Sequence, residues 1–177
     1  MIKKLEILFF RLVVLILILS NSSCSDTNFD VVVVGGGTSG VASAIQSSRL
    51  GSKTLLIEES NWLGGMLTSA GVSAMDGNYK MPSGFLKEFR DSLVSYYGHL
   101  DSLKTGWVSN FMFEPSVGNR ILKDIANQEK NLTILFGSTV GEVVKNSNFI
   151  IKIKECPSIY KSKILIDATE LGDLIPM

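Results

Sequence analysis

The sequence predicts an α/β fold with a parallel sheet, and three observations support that prediction. Residues 31–34 are an unbroken run of valines, as expected for a strand buried on both faces of a parallel sheet. A glycine cluster and then apolar residues at helical spacing follow over residues 35–50. A second apolar run at residues 53–57 completes a strand–helix–strand unit. The glycines therefore lie at the turn between the first strand and its helix.

The composition is that of a folded globular domain. The chain has 177 residues, of which 45% are hydrophobic and 19% are charged. This length suits one domain better than two. The 17 basic and 17 acidic side chains give a formal net charge of zero, and the sequence has no basic stripe or arginine-rich arm. We therefore expect no nucleic-acid partner.

The first 23 residues have the layout of a secretory signal peptide. Lys3 and Lys4 form a positively charged start, and Leu12–Leu19 is an apolar run that leads to small polar residues. The apolar run is too short to span a bilayer, and a buried helix of a globular fold would have a polar face. We therefore expect residues 1–23 to be a signal peptide.

Cys24 stands where bacterial lipoprotein signals place the lipidated cysteine, although Asn21 occupies a position that is usually leucine in those signals. We expect Cys24 to be lipidated and residues 24–28 to be a tether. The protein would then be secreted and anchored in the bacterial cell envelope, on the periplasmic or outer-membrane face, with membrane contact through the lipid alone. Cleavage by an ordinary signal peptidase is the alternative.

The turn after the first strand has the glycine spacing of a dinucleotide-binding site. In DVVVVGGGTSG, Gly35 allows a tight turn, Gly37 lets a diphosphate approach the backbone, and Gly40 lets the helix pack against the strand. The N-terminus of the helix offers N–H groups and partial positive charge. Glu58 ends the second strand, where its carboxylate can accept hydrogen bonds from both hydroxyls of an adenosine ribose. A glycine turn without a ligand is the alternative.

The segment after Glu58 favours FAD over a nicotinamide cofactor. Residues 59–71 read ESNWLGGMLTSAG and contain Gly64 and Gly65, where a nicotinamide domain usually continues into its next helix. This segment and the first turn together resemble flavoprotein domains of the glutathione-reductase type.

The chain from Phe29 onward resembles a family of FAD-dependent oxidoreductases from bacterial envelope and polysaccharide-locus proteins, distantly related to heterodisulfide-reductase flavin subunits. The resemblance rests on residues 31–93, on FEPSVGNRIL (113–122) and on ILIDATELGDLIP (164–176). It implies a three-layer, Rossmann-like FAD-binding domain of the glutathione-reductase type with a β-meander over residues 29–177. The residues that it assigns to FAD are Gly35, Gly36, Gly37, Thr38, Ser39 and Gly40 at the diphosphate, Glu58 at the ribose, Gly64, Gly65 and Met66 beside the diphosphate and flavin, Val140 at the adenine, and Ala168 beneath the cofactor.

The resemblance also implies an oxidoreductase that transfers hydride or electrons between bound flavin and a small organic substrate. The polysaccharide-locus relatives suggest a carbohydrate-derived alcohol as that substrate. Catalytic residues are not identifiable from the sequence. No metal site is expected, because two cysteines cannot hold the iron–sulfur clusters of some relatives. Since relatives continue well beyond this length, we expect an N-terminal fragment that lacks the substrate domain. The alternatives are an NAD-binding dehydrogenase domain and a non-catalytic envelope lipoprotein with a vestigial fold.

The remaining elements follow from periodicity alone. The pattern predicts helices over residues 82–97 and 115–128 and a third buried strand over residues 132–136. Strands over residues 139–144, 149–153 and 159–166 have short polar connectors, which predict antiparallel hairpins. His99, the single histidine, is expected to cap a helix end at the surface.

Overall fold

A computed structural model describes residues 27–77 and 80–177. The predicted signal peptide, Cys24 and the start of the predicted tether lie outside the described residues. The strands are β1 (Thr27–Val34), β2 (Thr54–Ile57), β3 (Leu132–Leu135), β4 (Val140–Lys145), β5 (Phe149–Ile153) and β6 (Ile159–Asp167). The helices are α1 (Thr38–Arg49), α2 (Gly84–Tyr97) and α3 (Pro115–Asn127), with short 3-10 turns at Gly65–Leu67 and Leu100–Leu103.

The strands of the described chain form one six-stranded sheet in the order β3-β2-β1-β6-β5-β4. β1, β2 and β3 are parallel, as predicted from the strand–helix–strand pattern. β4, β5 and β6 form the predicted antiparallel meander. β6 also runs parallel to β1 and so joins the two halves of the sheet. The predicted α/β fold with a Rossmann-like half and a meander is therefore confirmed.

Two clusters of buried side chains cover opposite faces of the sheet. In β1, Val31 and Val33 belong to one cluster, and Val32 and Val34 belong to the other, because successive residues of a strand point to opposite faces. The first cluster also contains the apolar stripes of α1, α2 and α3. The second also contains buried residues of β4 and β5. The protein thus has three layers, with helices on one face of the parallel strands and meander side chains on the other.

β1 begins earlier than the sequence predicted. The backbones of Thr27 and Asn28 pair with Tyr160 and Lys161 in β6, so the predicted tether of residues 24–28 is wrong in its last two residues. Two polar residues are too short a stretch to show a strand pattern, and their pairing partners lie far along the chain. The other element bounds agree with the prediction within about one or two residues. None of the helices in the described ranges is long and apolar enough to cross a membrane.

Candidate functional site

A cleft of about 640 Å³ opens at the carboxyl ends of β1, β2 and β6. The chain runs from β1 to β2 and β3 on one side of β1, and its later strand β6 lies on the other side, so the strand order reverses at β1. Open α/β sheets bind ligands at such a point. The volume lies within the range of small-molecule sites. The predicted cofactor residues that line the cleft are Gly35, Gly36, Gly37, Glu58, Gly65, Met66, Val140 and Ala168.

Gly35 and Gly40 form the floor of the first turn, where contacts within the chain itself leave no room for a side chain. Gly35 has a φ of 99°, and a Cβ atom there would lie 2.3 Å from the carbonyl oxygen of Ala168. A Cβ atom on Gly40 would lie 1.9 Å from the carbonyl oxygen of Gly35. No real contact is that short, so the tight turn and the close packing of α1 on β1 both require glycine.

Gly37 differs from Gly35 and Gly40, the other two glycines of the motif. Its φ is −61°, a value that any residue adopts. A Cβ atom on Gly37 would have one neighbour within 4 Å, an oxygen of Glu170 at 3.4 Å. The chain therefore leaves room for a side chain here, and that room opens into the cleft. A glycine that neither backbone strain nor internal packing requires is what we expect where a ligand approaches the backbone.

The second glycine segment is docked onto the first turn. The Gly64 N–H donates to the Gly36 carbonyl at 2.8 Å, and the Thr38 hydroxyl donates to the Gly64 carbonyl at 3.0 Å. A Cβ atom on Gly65 would lie 3.0 Å from the Cα atom of Gly37, so the two backbones approach closely. Together they form one wall of the cleft.

Four of the predicted residues do not line the cleft. The Thr38 hydroxyl and the Gly64 carbonyl bond each other, and Gly40 is buried beneath the turn. The Ser39 side chain is exposed. Any contact that residues 38–40 make with a ligand would therefore come from the backbone N–H groups at the start of α1, which have no partner within the helix.

Glu58 is the buried carboxylate of the cleft, with 9% of its surface exposed. Its Oε2 accepts a hydrogen bond from the Gly36 N–H at 2.6 Å, and its Oε1 accepts one from the Ser60 N–H at 2.8 Å. Each carboxylate oxygen can accept a second hydrogen bond, so the carboxylate is held in one orientation and keeps acceptor capacity. This carboxylate also explains Gly36, where a Cβ atom would lie 2.7 Å from Oε2.

The opposite wall comes from the meander. Val140 begins β4 and is only 3% exposed. Just before it, the Thr139 N–H donates to the Glu155 carboxylate at 2.8 Å, and the Thr139 carbonyl accepts from the Lys154 N–H at 2.9 Å. The hydrogen bond from Thr139 lowers the pKa of the Glu155 carboxyl below its ordinary value. These contacts hold the start of β4 in place at the rim of the cleft.

Several cleft residues were not predicted from the sequence, among them Ser138, Lys154, Thr169 and Glu170. Glu170 lies closest to the glycines, with an oxygen 3.0 Å from the Cβ position of Gly65. The only signal that could have found it is topological: it follows β6, and β6 ends beside β1. Among the residues that the structure describes, no group of His, Cys, Asp or Glu could hold a metal ion.

His99 lies at the surface, with 71% of its side chain exposed. Its Nδ1 accepts a hydrogen bond from the Asp101 N–H at 3.1 Å and so caps the 3-10 turn Leu100–Leu103. The capping role at the surface is as predicted, but His99 caps the start of this turn, and the cap at the end of α2 is Gly98.

Sequence comparisons link the chain to a family of FAD-dependent oxidoreductases. The family model described as FAD dependent oxidoreductase matches residues 30–177. Mitochondrial dihydrolipoyl dehydrogenase 1 of Arabidopsis thaliana is 50% identical over 50 residues, which cover 28% of this chain and 10% of that protein. Carotenoid phi-ring synthase of Chlorobaculum tepidum is 30% identical over 91 residues, which cover 51% of this chain and 13% of that protein. The matched part thus spans about a tenth of these curated relatives.

Solved structures of two monooxygenases share the fold. The closed structure of cyclohexanone monooxygenase has a TM-score of 0.54 and 17% identity, over 82% of this chain and 26% of that chain. The p-nitrophenol 4-monooxygenase PnpA of Pseudomonas putida DLL-E4 has a TM-score of 0.52 and 13% identity, over 81% of this chain and 41% of that chain. At these identities the likeness shows the fold alone. The family match reaches across almost all of the described residues, and its description names the predicted cofactor; this chain therefore belongs to the FAD-dependent oxidoreductase family.

Proposed function

We propose that the cleft binds FAD and that the protein is an oxidoreductase acting between bound flavin and a small organic substrate. The observation that carries the proposal is Gly37, whose missing side chain leaves an open space facing the cleft that the chain's own packing does not require. When bound, FAD supplies the hydride or electron transfer itself. The residues of this chain then supply binding, orientation and a fixed electrostatic environment.

Glu58 would hold the adenosine ribose. Its carboxylate is already oriented by the N–H groups of Gly36 and Ser60, so it need not be ordered when the cofactor arrives. Its remaining acceptor capacity suits a pair of neighbouring hydroxyls. A 2′-phosphate on the ribose would be repelled by the same charge, which favours FAD over a phosphorylated nicotinamide cofactor.

The two glycine backbones would hold the diphosphate. The first-turn N–H groups of residues 38–40 and the positive end of the α1 dipole suit an anion, and Gly37 and Gly65 present no side chain to exclude one. The family resemblance further assigns Met66 to the flavin side, the Val140 backbone to the adenine, and Ala168 to the surface beneath the cofactor. Val140, Ala168 and Met66 all line the same cleft, which supports one continuous site.

A titration tests the proposal. Purified protein is mixed with FAD, and binding is followed by quenching of flavin fluorescence; NAD is tested separately by calorimetry. We expect saturable FAD binding and no comparable NAD binding. An NAD-binding dehydrogenase domain would show the reverse preference, and a vestigial lipoprotein fold would bind neither cofactor.

The location of the protein is a further part of the proposal. The sequence of residues 1–24 supports export and lipidation of Cys24, and lipid chains of that kind attach a protein stably without a spanning helix. We expect wild-type protein in the membrane fraction and Cys24→Ser in the soluble fraction. A mature N-terminus beyond Cys24 without acyl mass, found by intact-mass analysis, would show a soluble secreted protein. A carbohydrate-derived substrate rests on the family resemblance alone.

A further inference from the structure

A carboxylate of the chain itself lies over the two glycine backbones. The Oε1 atom of Glu170 is 3.4 Å from the Cβ position of Gly37 and 3.0 Å from that of Gly65. Both positions face the cleft, so one oxygen lies between the two segments that would hold a diphosphate. A carboxylate and a phosphate satisfy the same kind of site at a helix N-terminus, since both accept hydrogen bonds and carry negative charge.

The backbone that carries Glu170 is fixed by a local network. The Asp167 carboxylate accepts hydrogen bonds from the Thr169 N–H at 3.1 Å, the Thr169 hydroxyl at 2.7 Å and the Leu174 N–H at 3.3 Å. The Thr169 hydroxyl in turn accepts from the Asp173 N–H at 2.7 Å. The turn after β6 is therefore closed on itself, and it holds the Glu170 backbone at the rim of the cleft while the exposed side chain keeps its rotational freedom.

The charged side chains that line the cleft also oppose the binding of an anionic ligand. The ionisable side chains that line it are Lys154 and the carboxylates Glu58, Glu59, Glu170 and Asp173. Negative groups outnumber positive ones, so a diphosphate enters against repulsion. The Glu58 carboxylate is held by the N–H groups of Gly36 and Ser60, whereas the Glu170 carboxylate lies over Gly37 and Gly65.

We propose that Glu170 is an internal competitor for the FAD diphosphate, because its carboxylate occupies the space over Gly37 and Gly65 and has to rotate away before the diphosphate enters. The inference rests on the proposed FAD site. Glu170 then lowers the affinity for the cofactor.

The test compares Glu170→Gln with Glu59→Gln, which removes the same charge from the cleft wall away from the two glycines. Purified wild-type protein and both variants are titrated with FAD, ADP and adenosine, and thermal unfolding checks that each is folded. We expect Glu170→Gln to bind FAD and ADP about three- to tenfold more tightly than wild type, and Glu59→Gln to change either affinity by less than about twofold. Adenosine, which lacks phosphate, should bind all three proteins equally.

The outcomes separate this inference from the proposed function. Weaker FAD binding by Glu170→Gln would show that Glu170 is a ligand of the cofactor. An equal gain in affinity in the two glutamine variants would show that any negative charge in the cleft has the same effect. Either result overturns the competitor role even though wild type binds FAD. Tighter binding of adenosine by Glu170→Gln would also overturn it. If wild type and both variants fail to bind FAD, the proposed function and this inference fall together.

Discussion

The floor and the mouth of the first turn contain the same residue type for different reasons. At the floor, Gly35 and Gly40 are required by the chain itself, since a Cβ atom at either position would overlap backbone oxygen. At the mouth, Gly37 has ordinary backbone angles and open space around it. A glycine motif therefore combines positions that serve folding with positions that serve binding, and only the three-dimensional surroundings separate them.

The largest effect is expected at the floor. In Gly40→Ala the new methyl group would lie 1.9 Å from the Gly35 carbonyl oxygen, so α1 would have to shift away from β1. We expect a loss of about 4 kcal/mol or more in the free energy of unfolding, measured by urea denaturation. Ser43→Ala in the same helix is the control and should cost about 1 kcal/mol or less. A Gly40→Ala protein as stable as that control would contradict the assignment of the floor.

The mouth should respond in the opposite way. Gly37→Val places a side chain in the cleft, so FAD affinity should fall at least about 100-fold, or roughly 3 kcal/mol, while stability falls by only about 1 kcal/mol for a poorer helix N-cap. Flavin fluorescence and thermal unfolding measure the two quantities on the same samples.

Gly77→Val provides the reverse pattern as a control. Gly77 has a φ of 71° and lies outside the cleft lining, so valine there should cost about 1–3 kcal/mol of stability and leave FAD affinity unchanged. Equal flavin content in the Gly37 and Gly77 variants would remove Gly37 from the cofactor site.

The sequence predicted the elements whose signals are local. The valine run of β1, the helical spacing of α1 and the short polar connectors of the meander all act within a few residues, and each element formed where predicted. The features that the sequence did not predict depend on contacts between residues far apart in the chain. The strand state of Thr27 follows from Tyr160, and the position of Glu170 over Gly37 follows from β6 ending beside β1.

Glu58 lies between the first turn and the cleft, because its carboxylate accepts a hydrogen bond from the Gly36 N–H and also lines the cleft. Glu58→Gln should weaken FAD binding by about 1–3 kcal/mol, the usual cost of losing a charge-assisted hydrogen bond. Retention of flavin after serial dilution and gel filtration measures the loss. Unchanged retention would separate Glu58 from the ribose.

The smallest effect is expected far from both regions. Arg49, at the end of α1, donates to Glu88 of α2 and to Glu129 beyond α3, at 2.7 Å each. Arg49→Gln should lower stability by about 1 kcal/mol and leave FAD affinity unchanged, since the contacts are partly exposed and outside the cleft. A change in FAD affinity would show that the helix layer influences the mouth.

The loss of stability in Arg49→Gln should depend on pH. The hydrogen bond from Arg49 lowers the pKa of Glu88 below its ordinary value of 4.5. A lowered carboxylate pKa stabilises the fold above the unfolded value and loses that contribution as the pH falls through the folded value. The stability difference between wild type and Arg49→Gln should therefore be full at neutral pH and shrink below about pH 4.5 in urea denaturation curves. A difference that persists in acid would exclude the ion pair as its source.

The pairing of β1 with β6 also bears on how the chain reaches its native state. Asp30 in β1 and Lys163 in β6 are in contact although 133 positions separate them. β1 is the first strand of the described residues, yet one of its edges has no partner until β6 has been made, 133 positions later for this pair. Such a long-range closure makes folding slow and exposes a valine-rich strand edge in the meantime. Until β6 has been synthesised, this strand edge therefore needs protection from aggregation.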